Sequence, residues 1–184
     1  MKQSLFALVM AALAMMPVGP AAQTVQTQTE PTQTERQQAE PPQIGPETGL
    51  PLPRYVSLKT SAGRARRGPS TSHRVDWVFA HRNMPLRITG EFENWRRVED
   101  SEGEGGWMHY SQLSGVRTVL VTRDMVPMLE RPQLDAPQVA LLEAGVVAHI
   151  IECLFDWCRL SVDGTRGWVD RTALWGLDPG ELLD

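Results

Sequence analysis

Few side chains in this 184-residue chain are spaced for catalysis or metal binding. His73, His81, His109 and His149 show no ligand spacing of the His-Glu-x-x-His kind. Two of them stand beside arginines (His73-Arg74 and His81-Arg82), as surface histidines do. The sequence contains neither a nucleophile elbow nor a phosphate loop. Paired carboxylates gather only in Glu99-Asp100-Ser101-Glu102-Gly103-Glu104, where solvent leaves them ordinary acidity. Two cysteines are too few for a four-cysteine zinc site or a disulfide-dense scaffold. Cys153 and Cys158 flank Leu154-Phe155-Asp156-Trp157 and could face each other across a tight hairpin. In an exported chain such a pair is expected to be a disulfide, with free thiols as the alternative. Closing so small a loop adds about 2–3 kcal/mol by restricting the unfolded chain. The spacing is not Cys-x-x-Cys, and further ligands are missing, so no metal site is expected. No catalytic residue and no cofactor are expected either.

Binding chemistry is better represented, in arginine and tryptophan. Arg54, Lys59, Arg64, Arg66, Arg67 and Arg74 all precede Asp76, the first acid of their stretch. Residues 54–115 carry ten basic and seven acidic residues, a balance of +3, whereas residues 116–184 carry six and eleven, a balance of -5. Arg64, Arg66 and Arg67 suggest a basic patch able to hold carboxylates or phosphates through bidentate contacts. The alternative is a solvated face neutralised by the acidic hairpin. Trp77 and Trp95 would supply an apolar floor beside that patch. Opposite signs on the two halves suit docking between them or head-to-tail association. A formal charge of -4 is too near neutral for a generic nucleic-acid binder.

The elements that would position these residues begin after an export signal. Lys2 supplies a positive charge, Leu5 to Met16 is apolar, and Pro17, Gly19 and Pro20 precede the small pair Ala21-Ala22. The apolar run is shorter than the ~20 residues a bilayer span needs. Residues 1–22 are therefore expected to be a signal peptide, with no stable membrane insertion after cleavage. No cysteine lies near the cleavage point to carry a lipid, and a periplasmic or secreted location is expected. Residues 23–53 are rich in Gln, Thr, Pro and Glu, with almost no large apolar side chain before Ile44. Such a stretch cannot bury enough surface to offset its ordering entropy, so a disordered linker is expected.

From Arg54 onward the chain is a duplication. Phe92-Glu93-Asn94-Trp95-Arg96-Arg97-Val98 matches Phe155-Asp156-Trp157-Cys158-Arg159-Leu160. Gly106-Trp107-Met108 matches Gly167-Trp168-Val169, and Leu113-Ser114-Gly115 matches Leu174-Trp175-Gly176. The offset stays close to about 62 residues. Each copy shows short runs of β-formers at roughly ten-residue spacing, separated by turns such as Asp163-Gly164. Fifteen glycines and fourteen prolines argue against a helical bundle and for a small barrel or sandwich.

With Arg66-Arg67-Gly68-Pro69-Ser70, the strand around Trp77, Asn94-Trp95-Arg96-Arg97-Val98 and Gly105-Gly106-Trp107 in this order, the chain resembles the bacterial Src-homology-3-like family. The resemblance covers roughly Tyr55 to Leu177. It implies an all-β fold of two tandem small barrels, 54–115 and 116–178, followed by a tail over 179–184. It also implies non-catalytic modules that bind peptides, cell-wall glycopeptide or partner proteins. Gly106 and Gly167 would let Trp107 and Trp168 lie back over a core too small to close itself. Trp95, Trp107, Trp157 and Trp168 are expected in core or rim packing, with ligand contact as the alternative. The function expected is an exported module binding peptidoglycan peptide or an envelope protein, through Arg64, Arg66, Arg67, Trp77 and Trp95. An interaction module without a ligand groove, or a subunit of a wall hydrolase, are the rivals.

Overall fold

A computed structural model of the chain describes residues 43–184. The expected signal peptide and the first part of the expected linker lie outside the described residues. The described residues open with a small hairpin, β1 (Gln43–Ile44) against β2 (Pro51–Leu52). The first copy follows as β3 (Arg54–Leu58), β4 (Gly63–Arg66), β5 (Val75–Phe79), β6 (Pro85–Phe92), β7 (Trp95–Glu99), β8 (Gly105–His109) and β9 (Leu113–Ser114). The second comprises β10 (Thr118–Val121), β11 (Val126–Leu129), β12 (Gln138–Leu142), β13 (Val147–Cys153), β14 (Trp157–Val162), β15 (Thr165–Asp170) and β16 (Leu174–Trp175). The described residues include no α-helix, only 3₁₀ turns at Tyr110–Gln112 and Arg171–Ala173.

The two copies have the same topology. One antiparallel sheet runs β5-β4-β8-β7-β6-β3-β9, and the other runs β12-β11-β15-β14-β13-β10-β16. Each position in one order has its sequence equivalent at the same position in the other. The fold is therefore two tandem SH3-like barrels, as the repeat implied. A ~60-residue barrel buries little surface by itself, and the copies meet where Tyr55 packs edge-on against Trp175 at 5.3 Å. There the Thr118 hydroxyl donates to the Asn83 carbonyl at 2.7 Å.

Strand alternation decides what fills each core. Leu58, Leu86 and Met108 are fully buried in the first, and Met128, Leu160 and Val169 in the second. Met108 and Val169 follow the late tryptophans, so Trp107 and Trp168 project from the other face and are only half-buried. Of the two packings expected for these tryptophans, core or rim, Trp107 and Trp168 take the rim. The role of the preceding glycines also changes. A Cβ on Gly106 would stand 2.6 Å from the Arg66 carbonyl oxygen, and one on Gly167 2.4 Å from Met128 Cγ. These glycines make room for β4 and β11, which cross β8 and β15 at the pairs Arg66–Trp107 and Leu129–Trp168.

The copies are stapled differently at one equivalent place. Cys153 and Cys158 face each other in the β13–β14 register and form a disulfide, with sulfurs 2.04 Å apart. The corresponding pair in β6–β7 is Glu91 and Arg96, whose charged groups approach to 3.5 Å. Each staple also anchors one end of the described residues. The Cys153 amide donates to the Leu183 carbonyl at 2.7 Å, which pins the tail over 179–184 to β13. Glu91 receives the Thr48 hydroxyl at 2.7 Å and the Glu47 and Thr48 amides at 3.0 Å each. Arg54 adds an ion pair at 2.6 Å, and the Glu91 side chain is fully enclosed. With Leu52 also buried in the first core, residues 43–53 are ordered rather than part of a disordered linker. The cause is a carboxylate some forty residues away, which supplies acceptors for an otherwise polar turn.

Candidate functional site

The residues expected to form a basic groove on the first barrel are separated by the fold. Arg64 pairs with Val78 and Ala65 with Trp77 across β4–β5, so Arg64 and Trp77 lie on opposite faces of that ribbon. The Arg66 guanidinium donates to the Thr71 and His73 carbonyls at 3.1 and 2.6 Å. Both bonds come from Nη1, which ties Arg66 to the loop that follows β4. Arg67 pairs with Asp76 at 3.0 Å, and Arg74 bonds the other oxygen of the same carboxylate. The hydrogen bond from Arg67 is the largest influence holding the Asp76 carboxyl below its usual range, with that from Arg74 adding to it. Trp95 is 8% exposed and packs edge-on against His109 at 5.5 Å. Only Arg64, Arg67 and Trp77 of the five keep well-exposed side chains.

An open cleft lies on the second barrel instead, with a volume of about 530 Å³. Its apolar lining includes the buried Val126, Leu129 and Ala136 together with the half-buried Trp157. Leu134 (86% exposed) and Met125 (63% exposed) also line it and offer apolar surface to solvent. Arg123, Asp124, Gln138 and Asp170 supply polar groups. Strand register places Trp157 opposite Asp170. The Asp170 Oδ1 caps the second 3₁₀ turn by accepting from the Thr172 amide at 2.7 Å and its hydroxyl at 2.6 Å. Asp124 Oδ1 accepts from the Ala144 amide at 2.9 Å. Both acids are held in place through one oxygen, at the margin of an apolar surface.

Aligning the two repeats by register shows what the first copy carries where the cleft residues stand in the second. Trp157 corresponds to Trp95, Leu129 to Arg66, Ala136 to His73, and Asp170 to His109. The first copy thus replaces two apolar cleft residues with an arginine and a histidine, and the arginine bonds its own loop. The discriminating signal in the sequence was Pro127-Met128-Leu129, apolar where the first copy has Arg64-Ala65-Arg66.

Two small antiparallel barrels in tandem, with a loop-bounded cleft beside a strand-initial tryptophan, define an SH3-like binding module. The family model for the bacterial SH3 domain matches residues 59–115 and again 122–176, and the chain belongs to that family. Bacterial SH3 domains are typically cell-wall-binding modules without catalytic activity. Similar solved structures include NlpC2 and NlpC1 from Trichomonas vaginalis, each 14% identical with a TM-score of 0.32. The likeness covers 67% and 71% of this chain and 48% of each of those, so the chain spans about half their length. No curated protein matches the chain. Among the described residues no helix is long and apolar enough to cross a membrane, and no cluster of His, Cys, Asp and Glu is arranged to hold a metal ion.

Proposed function

We propose that this protein is an exported, non-catalytic binding module of the cell envelope. Its ligand would be an extended peptide, either of peptidoglycan or of an envelope protein, seated in the second barrel's cleft. The carrying observation is the pairing of an open apolar surface at Met125, Leu134 and Trp157 with the fixed carboxylates of Asp124 and Asp170. Such a cleft accepts an aliphatic side chain while its acids meet an amino group, the combination a peptide offers.

Incubating purified sacculi with the full chain tests this reading. Sedimentation of the protein with the sacculi is expected, with no soluble wall fragments released. Trp157→Ala should weaken retention at least tenfold, whereas reversing Arg66 and Arg67 should not alter it beyond any effect on folding. Undiminished retention of Trp157→Ala, or release of wall fragments by the wild type, would contradict the reading. A second reading, an interaction module without a groove, is favoured by the Tyr55–Trp175 contact between the copies. Binding-defective cleft variants that still capture an envelope protein would support it.

A further inference from the structure

The outer strands of the two barrels carry a feature the cleft does not use. Strand β5 pairs only with β4, and β12 only with β11, so each presents one free edge to solvent. Edges of folded sheets are usually blunted by charge, proline or cover, because they template pairing with another chain. Here they expose large apolar side chains: Trp77 at 40% and Val78 at 52% on β5, Val139 and Leu141 at 45% each on β12. Val78 and Leu141 occupy equivalent places, opposite Arg64 and Pro127.

Charge separates the two edges. Around β5 stand the exposed Arg64, Arg67 and Arg74 with one acid, Asp76. Around β12 stand the exposed Glu130, Asp135 and Glu143 with one base, Arg131. Like edges repel, β5 against β5 and β12 against β12, whereas β5 against β12 is attractive.

We infer that β5 of one copy of this chain adds to β12 of a second copy, giving head-to-tail self-association. The contact uses two different surfaces, so a pair of chains keeps one free edge of each kind and the assembly grows beyond the dimer, into a larger ring or an open row as the rotation dictates. A row of wall-binding modules would gain avidity on a repetitive ligand, but the edge pairing itself does not depend on the cleft reading.

Sedimentation velocity of the full chain over a range of concentrations tests this. At about 0.1 M salt the mean mass should rise past two chains. At about 1 M, where the screening length falls from about 10 to about 3 Å, association should weaken severalfold. Val78→Lys and Leu141→Lys should each reduce association at least tenfold while leaving the thermal melt in place. Mixed in equal amounts, the two variants should form a 1:1 dimer and nothing larger, because each retains the edge the other lacks. If a lysine variant melts early, Val78→Thr and Leu141→Thr should show a smaller loss of the same sign. A wild type that stays monomeric, one that stops at two chains, or a mixture that fails to pair would each overturn the inference.

Discussion

Replacing Glu91 by glutamine removes the group on which the N-terminal hairpin and the first barrel converge. Burial by itself would raise the pKa of this carboxyl. Hydrogen bonds from the Thr48 hydroxyl, from Arg54 and from the Glu47 and Thr48 amides outweigh it and bring the pKa from 4.5 to about 2. The folded value lies below the unfolded one, so the stabilisation is fully present above about pH 4.5 and is lost as pH falls toward 2. At about 1.4 kcal/mol per unit the linkage is worth about 3 kcal/mol. Glutamine is nearly isosteric but offers one acceptor oxygen where the carboxylate serves two amides, a hydroxyl and a guanidinium. It also leaves Arg54 and Arg96, 17% and 10% exposed, without a counter-charge, a loss usually worth about 3–5 kcal/mol. Glu91→Gln should therefore destabilise the first barrel by about 3 kcal/mol at pH 7. Urea unfolding at several pH values, with hydrogen exchange resolving the first barrel from the second, measures both effects. The wild type should lose stability between pH 4.5 and 2, and the variant should show little of that slope. A variant within about 0.5 kcal/mol of wild type, or one that keeps the acid-side slope, would refute the assignment of Glu91 as the anchor.

Further outcomes follow from the same geometry. Cys153→Ser with Cys158→Ser, or reduction, should destabilise the second barrel by about 2 kcal/mol through the lost loop constraint. Exchange at the amide of Leu183, which bonds the Cys153 carbonyl at 3.2 Å, should speed up in parallel. Gly106→Ala and Gly167→Ala should each cost more than about 2 kcal/mol in thermal melts, because backbone or buried neighbours cannot yield. Gly145→Ala, at a positive φ of 87° with nothing near the added carbon, should cost only about 1 kcal/mol.

The repeat was legible because it is written in local marks. A glycine before each late tryptophan, turn residues between short β-rich runs and a constant offset fixed strand order and duplication. The cysteine pair was legible for the same reason, being five residues apart across a hairpin. Order at residues 43–53 was not, since Pro-Gln-Ile-Gly-Pro-Glu-Thr-Gly has a linker's composition. Only the distant Glu91 gives its turn a partner. The site was half legible. Counting charge found the arginines but not their partners, and Arg66 and Arg67 are occupied by carbonyls and Asp76 that no spacing rule announces. The cleft depends on which residues turn inward, as Leu129 at the end of β11 and Ala136 in the following loop do, and that is decided by strand crossing rather than by residue type.

Chemical-shift mapping with a soluble peptidoglycan stem peptide tests the central claim most directly. Added to the isotopically labelled full chain, the peptide should perturb resonances clustered at Leu129, Trp157 and Asp170, leaving the Arg64–Trp77 hairpin nearly unchanged. Perturbations confined to the first barrel, or none at saturating peptide, would contradict the assignment of the second barrel's cleft as the wall-binding surface.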